Sequence, residues 1–262
     1  MILSLKYFLL NIDFIKKILA KIYTLINKDV KIFKKDIYWV HKKKNKYLLN
    51  FHPILNFEKF EKIYKFFIKK YKPKNGHIIF DVGSGLGQEI LYLSKAVGKK
   101  GKIFSIESDP RLFKVLKQVV YLNKLKNVYL INAFFHKKNG VTIKSNLLPL
   151  YDWMSNSINR SSGLSFKLKT ITIDNIIKKY NLKKINFAKF NIEGSEINLI
   201  SGNNLFLKKC ENICISCHDF LNKGNYNTFK KIKYLLIKKK FKILKNSSND
   251  KIIKYFVYGK KN

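Results

Sequence analysis

The chain has 262 residues, is 46% hydrophobic, and carries 54 Lys and Arg against 16 Asp and Glu, a formal net charge of +38. That apolar content excludes a disordered chain, and the length suits one α/β domain with an extension or two small domains. The charge raises nucleic acid or an anionic membrane as partners.

The make-up of the charge argues for restraint, because Arg111 and Arg160 are its sole arginines. Phosphate and base recognition select for the guanidinium fork, which lysine lacks. With Ile and Asn also abundant, the lysine excess reads as the imprint of an AT-rich genome spread over solvated faces. Cys210, Cys214 and Cys217 are an odd number of cysteines, which fits a reducing cytosol.

In chain order, the first twenty residues are apolar but broken by Lys6, Asn11, Asp13, Lys16 and Lys17, a pattern of neither a signal peptide nor a membrane span. Ile12 to Ile26 is a basic amphipathic helix: Ile12, Ile15, Ile18, Leu19, Ile22 and Ile26 share one face, and Asp13, Lys16, Lys17, Lys21 and Thr24 the other. Such a helix is expected to pack on its own domain or a partner, with peripheral contact to an anionic membrane through residues 12–26 as the alternative. The expected location is cytoplasmic, with the inner membrane face as that peripheral site. Asp29 to Phe57 reads as an irregular or short-stranded cap, followed by a helix from Glu58 to Tyr71 and a turn at Asn75-Gly76. Residues 1–72 are therefore assigned to an N-terminal helix and cap region, and 73–262 to the main domain.

The stretch His77 to Gly87 (HIIFDVGSGLG) organises the main domain. A short apolar run breaking into glycines reads as a buried parallel strand turning into a helix, with the ligand expected at the turn. The dinucleotide fingerprint is G-x-G-x-x-G; here Asp81, Gly83, Gly85 and Gly87 follow Asp-x-Gly-x-Gly-x-Gly, the spacing associated with S-adenosylmethionine sites. Glu107 closes a second apolar strand, Lys102 to Ser108, and an acid at that tip suits ribose hydroxyls. The candidate cofactor-binding residues are Asp81, Gly83, Ser84, Gly85, Gly87, Glu107, Ser108, Asn132 and Ala133.

Leu86, Ile90, Leu93 and Val97 line a helix stopped by Gly98, Asp109-Pro110 opens another over Arg111 to Asn123, and Asn127 to Asn132 is a third strand. Repeated strand and helix units imply a parallel sheet with right-handed crossovers, placing Asp81, Glu107 and Asn132 on one rim. Gly140 to Lys169 breaks the rhythm, and its polar stretch Ser155 to Ser165, preceded by Tyr151, Asp152 and Trp153, is either a lid presenting Trp153 and Arg160 or a loose insertion. Thr172 to Tyr180 is a short helix with Asp174 as a cap, and Ile185 to Ile192 a strand turning at Glu193-Gly194 into a helix from Ser195 to Lys208. Asn212 to His218 is the fifth strand; a helix from Asn227 to Lys240 precedes an edge hairpin of Phe241 to Leu244 and Lys251 to Tyr258.

From about residue 77 to 220 the order of motifs resembles the FkbM family of S-adenosylmethionine-dependent methyltransferases. DVGSGLG is similar to that family's DVGANIG, IESDP to its FEPNP, LKTITIDNII to its TLD segment, KFNIEGSE to its KIDVEGAE, and ISCH to its last strand motif. The chain departs at Gly85, where the family usually has asparagine, at Asn191, which replaces an aspartate, and at Ser216, near a position often acidic. The resemblance implies a Rossmann-like class I methyltransferase fold: a seven-stranded, mostly parallel sheet with helices on both faces, here with an N-terminal helical extension. It also implies S-adenosylmethionine as cofactor and an O-methyltransferase acting on a hydroxyl of a sugar, glycan or secondary metabolite.

Methyl transfer from a sulfonium is an in-line displacement, so the protein mainly aligns two reactants, and a hydroxyl acceptor also needs a base. His218, emerging from an apolar strand with a near-neutral imidazole, and Glu193 are the candidates; Asn191 could bind the acceptor hydroxyl or the amino-acid part of the cofactor. Glu196, opening a helix, is expected to be structural. Two alternatives stand: an rRNA or tRNA methyltransferase, motivated by the charge, and a non-catalytic adenosyl-binding, membrane-associated protein, motivated by Asn191. The cysteine spacing also matches an iron–sulfur loop and a haem attachment motif. Both need an exposed loop, whereas Ile213 to Cys217 reads as a buried strand, so no metal site is expected.

Overall fold

A computed structural model describes residues 13–54, 57–147, 165–199, 203–221 and 227–261. The N-terminal part is a helix, α1 (Asp13–Ile26), and an antiparallel meander of β1 (Val30–Lys35), β2 (Tyr38–Lys43) and β3 (Lys46–Asn50). Of the two forms expected for this cap, irregular or short-stranded, it takes the short-stranded one. Their apolar residues Tyr38, Val40, Leu48 and Leu49 pack with Leu86, Leu112 and Val115, so the meander shares a core with the main domain.

After α2 (Phe57–Phe67), strand and helix alternate: β4 (Ile78–Val82), α3 (Gln88–Val97), β5 (Lys102–Glu107), α4 (Pro110–Leu122) and β6 (Val128–Asn132). Asp109 caps α4 by accepting from the Arg111 N–H, with Pro110 at the first helical position, where its missing N–H costs nothing. A small sheet of β7 (Phe134–Phe135), β8 (Thr142–Asn146) and β9 (Ser165–Ile171) follows where the sequence suggested an insertion. Tyr151, Asp152, Trp153, Arg160 and most of the polar stretch beginning at Ser155 lie outside the described residues.

Next come α5 (Ile173–Lys179), β10 (Phe187–Phe190), a 3-10 turn (Ser195–Leu199), α6 (Asn204–Lys209), β11 (Asn212–Ser216), α7 (Phe229–Lys238), β12 (Phe241–Leu244) and β13 (Phe256–Lys261). The single helix expected from Ser195 to Lys208 is therefore a 3-10 turn and a short α-helix. The N-terminus of α6 is held by Asp174, which accepts from the Leu205 and Phe206 N–H groups. Asp174 is a cap, as expected, but of the neighbouring helix; its own helix is capped by Thr172.

The central sheet has the order β12-β13-β11-β10-β4-β5-β6, parallel except at the β13 and β12 edge. Alternation along the strands feeds two apolar layers. Phe80, Val82 and Phe190 face Ile176, Phe206 and Ile232 of α5, α6 and α7, while Ile79 and Phe187 face Tyr64, Phe67 and Leu93 of α2 and α3. Each such buried side chain contributes about 1.5–3 kcal/mol. From β4 the chain winds to β5 and β6 on one side and then to β10 and β11 on the other. The order therefore reverses between β4 and β10, the point at whose strand ends sheets of this kind bind their ligands.

Candidate active site and cofactor crevice

Two of the three groups predicted for the rim, Glu107 and Asn132, lie side by side in register at the strand ends; Asp81 lies in register with Lys189 and Ser105, two residues further in. The glycine loop leaves β4 with Gly83, Gly85 and Gly87 at φ of 77°, 54° and 79°, values that side chains with a Cβ rarely adopt. A Cβ at Gly83 would lie 2.0 Å from the Asn191 carbonyl oxygen. Glycine is thus required where two backbones cross at the switch point. Ser84, nominated for the cofactor, turns inward: its Oγ donates to the Asp81 carbonyl and accepts from Ser105 Oγ, so it braces the bend.

Glu107 is buried, with Oε2 accepting from the Gly85 N–H at 2.7 Å and Oε1 from the Asp109 N–H at 2.9 Å. Burial raises its carboxyl, the two backbone donors offset part of that, and it lies at about 7. Asn132 donates to the carbonyls of Glu107 and Ser108 and so fixes the end of β5, while the Ala133 N–H returns to the Glu107 carbonyl.

Asp81 sits beneath the loop rather than on the open rim. Lys189, which sequence reasoning passed over, fills the space between: its Nζ is 2.9 Å from Asp81 Oδ1, donates to the Gly83 carbonyl at 2.9 Å, and lies over the Phe67 ring. Burial works against the Lys189 charge, but the charges of Asp81 and of buried Glu89 outweigh it and raise its pKa. Glu89 itself is raised by burial, the Lys189 charge opposing. A lysine inside the apolar run INFAKFNI was the available signal, since such a charge is tolerated when it is paired.

Beyond β10, Asn191 is half-buried beside the loop and Glu193 adopts a left-handed φ of 50°, an unfavourable conformation for a residue with a side chain. His218 follows β11, where Asp219 accepts from the N–H groups of Thr228 and Phe229 and anchors the start of α7. Its Nδ1 is 2.8 Å from Glu196 Oε1 and its Nε2 3.3 Å from Glu193 Oε1. Burial alone would lower the imidazole, but hydrogen bonds to Glu193 and Glu196 and their charges prevail and hold it at about 10. The near-neutral histidine expected from sequence is thus an imidazolium in the ligand-free protein. The side chain of His218 is 3% exposed and that of Glu193 23%, so Glu193 stands between the histidine and solvent. The cysteines are buried and free; Cys214 packs in one layer of the sheet, Cys210 and Cys217 in the other.

A topological switch point with a three-glycine bend and an acid at the second strand tip defines a class I methyltransferase, and its residues fit S-adenosylmethionine, the cofactor of this class. The chain belongs to the FkbM methyltransferase family: the sequence model described as the methyltransferase FkbM domain matches residues 81–252. Among solved structures, the methyltransferase FkbM from Methylobacillus flagellatus KT is similar at 18% identity and a TM-score of 0.53, covering 80% of this chain and 52% of that one. A methyltransferase from Aquifex aeolicus matches at 18% identity and a TM-score of 0.44, covering 79% and 98% of the two chains. Aeropyrum pernix fibrillarin, bound to S-adenosyl-L-methionine, matches at 12% identity and a TM-score of 0.46, covering 88% and 98%. A search of curated proteins finds no match.

Proposed function

We propose that this methyltransferase transfers the methyl group to a hydroxyl oxygen, on a sugar, glycan or secondary metabolite. The observation that carries the reading is the row Glu193, His218, Glu196 beside the glycine loop. The charged imidazole lies between the two glutamates, within 2.8 Å of Glu196 and 3.3 Å of Glu193. Glu193, the accessible member, meets the acceptor hydroxyl; His218 orients it and Glu196 holds His218 from behind. Asn191, beside the bend, hydrogen-bonds the acceptor hydroxyl or the amino-acid end of the cofactor.

Bound S-adenosylmethionine supplies a methyl group on a sulfonium. The chain's own part is to align the acceptor, exclude water and remove the hydroxyl proton. Glu107 accepts hydrogen bonds from the ribose hydroxyls, with Ser108, Asn132 and Ala133 shaping that end of the crevice; Asp81 and Lys189 fix Gly83. A hydroxyl acceptor is supported over a nucleic acid because the partly exposed side chain nominated for the acceptor end, Glu193, is an acid, the group a hydroxyl proton needs and a phosphate does not. The test is incubation of the protein and labelled cofactor with fractionated glycans, small hydroxyl compounds and RNA. Label in the glycan or small-molecule fraction is expected; label confined to RNA would replace this reading with the nucleic-acid one.

A further inference from the structure

Helix α1 docks through Ala20, its buried residue, and half-buried Ile15, Lys16, Leu19, Tyr23 and Thr24, and leaves the rest of its apolar side chains facing outward. At about 100° per residue, Phe14, Ile18, Ile22 and Leu25 fall within one stripe. That stripe lies on the other side: Phe14 is 70% exposed, Ile18 41%, Ile22 47% and Leu25 74%. Large apolar side chains gathered on one exposed face mark an interaction surface.

The surroundings are cationic. Exposed Lys17 and Lys21 run along one edge of the stripe, and Lys28, Lys31 and Lys35 come after it in the chain, all exposed. The nearby acids are neutralised, Asp13 by Lys34 at 2.5 Å and Asp29 by Lys43 at 2.8 Å. An apolar ridge with a positive border is complementary to acyl chains beneath anionic headgroups. A second copy of this chain, at net +38, would bring like charge to the contact. A nucleic acid would engage the lysines and leave the aliphatic stripe in water. No described helix is long and apolar enough to cross a membrane, so the contact is in the plane of the surface.

We propose that α1 docks the protein on an anionic lipid bilayer, with Phe14, Ile18, Ile22 and Leu25 entering the headgroup boundary and Lys17 and Lys21 meeting lipid phosphates. This docking is independent of which acceptor is methylated. The test is co-sedimentation of the full chain with vesicles of phosphatidylcholine alone and of phosphatidylcholine with phosphatidylglycerol. Binding to the anionic vesicles, weakened by salt, is expected. The triple variant Ile18→Ser, Ile22→Ser, Leu25→Ser should lower that partitioning by about tenfold or more while leaving cofactor affinity intact, because these side chains support no core. Lys17→Glu with Lys21→Glu should also lower it, and decides the matter if the triple variant fails to fold. No binding to anionic vesicles, binding undiminished in the folded variants, or a wild-type dimer that the triple variant dissociates without any vesicle binding would each overturn the proposal.

Discussion

Lys189 and Asp81 face each other in register across the two strands that flank the switch point, Nζ to Oδ1 at 2.9 Å, both side chains buried. A buried pair of this kind adds little net stability, since desolvation offsets attraction, but removing one partner leaves a bare charge inside the protein.

Lys189→Met is therefore expected to destabilise the fold by about 3–5 kcal/mol, measured by denaturant unfolding. It should also weaken cofactor binding, because the Gly83 carbonyl loses its tether. Adding Asp81→Asn should recover much of the stability and none of the tether. Stability unchanged in Lys189→Met would refute the reading of Lys189 and Asp81 as a buried pair that holds the fold.

Gly83→Ala tests the crossing of backbones. Its Cβ would lie 2.0 Å from the Asn191 oxygen, and the left-handed φ adds strain of about 1 kcal/mol or more. The expected result is a protein that unfolds at lower temperature and binds cofactor at least about tenfold more weakly. Gly140→Ala is the control: it has a similar φ with nothing near its Cβ, so it should lower stability slightly and leave cofactor affinity alone. Equal effects on affinity would place the loop away from the ligand.

The difference between Gly83 and Lys189 marks what the sequence made legible. The bend from Asp81 to Gly87 is local, so spacing alone revealed a glycine turn between a strand and a helix. The mostly parallel sheet followed from alternating strands and helices. Lys189 acquires meaning when β10 comes to lie beside β4, a contact between residues distant in sequence. The same holds for β1 to β3 and β8 to β9, short strands rich in lysine whose hydrophobic face is completed by residues elsewhere, such as Leu86 and Leu112 against Val40. Alternation was present in SFKLKTI, where Phe166, Leu168 and Thr170 interleave with lysines, but the polar stretch before it concealed the pairing of β9 with β8. That His218 ends a strand was legible; its charge depends on Glu193 and Glu196, brought to it from the turn after β10.

Glu107 gives the cofactor step a pH signature. Its carboxyl lies at about 7 in the ligand-free protein, and ribose hydroxyl donors favour the ionised form. Binding should therefore release a proton, and affinity should fall by about tenfold for each unit of pH well below 7. Calorimetry in buffers of different ionisation enthalpy reads that proton. Glu107→Gln should weaken binding and flatten this part of the profile, whereas a profile that the substitution leaves unchanged would remove the ribose assignment.

His218 titrates in the opposite sense. Its folded value, about 10, exceeds the ordinary 6.5, so its contribution to stability is complete below 6.5 and is lost as pH rises through about 10. The stability gap between the wild type and His218→Gln should shrink over that range, followed by unfolding at successive pH values. In catalysis, an imidazolium that orients Glu193 predicts no histidine limb near pH 6.5 in the rate profile. Glu193→Gln should cut turnover by about 10²–10⁴ with cofactor affinity intact, the usual effect of losing a proton acceptor. His218→Ala should lower turnover less, because Glu193 remains but is no longer held. A rising limb centred near 6.5, abolished by His218→Ala and untouched by Glu193→Gln, would instead make a neutral histidine the base and leave Glu193 a residue of the turn.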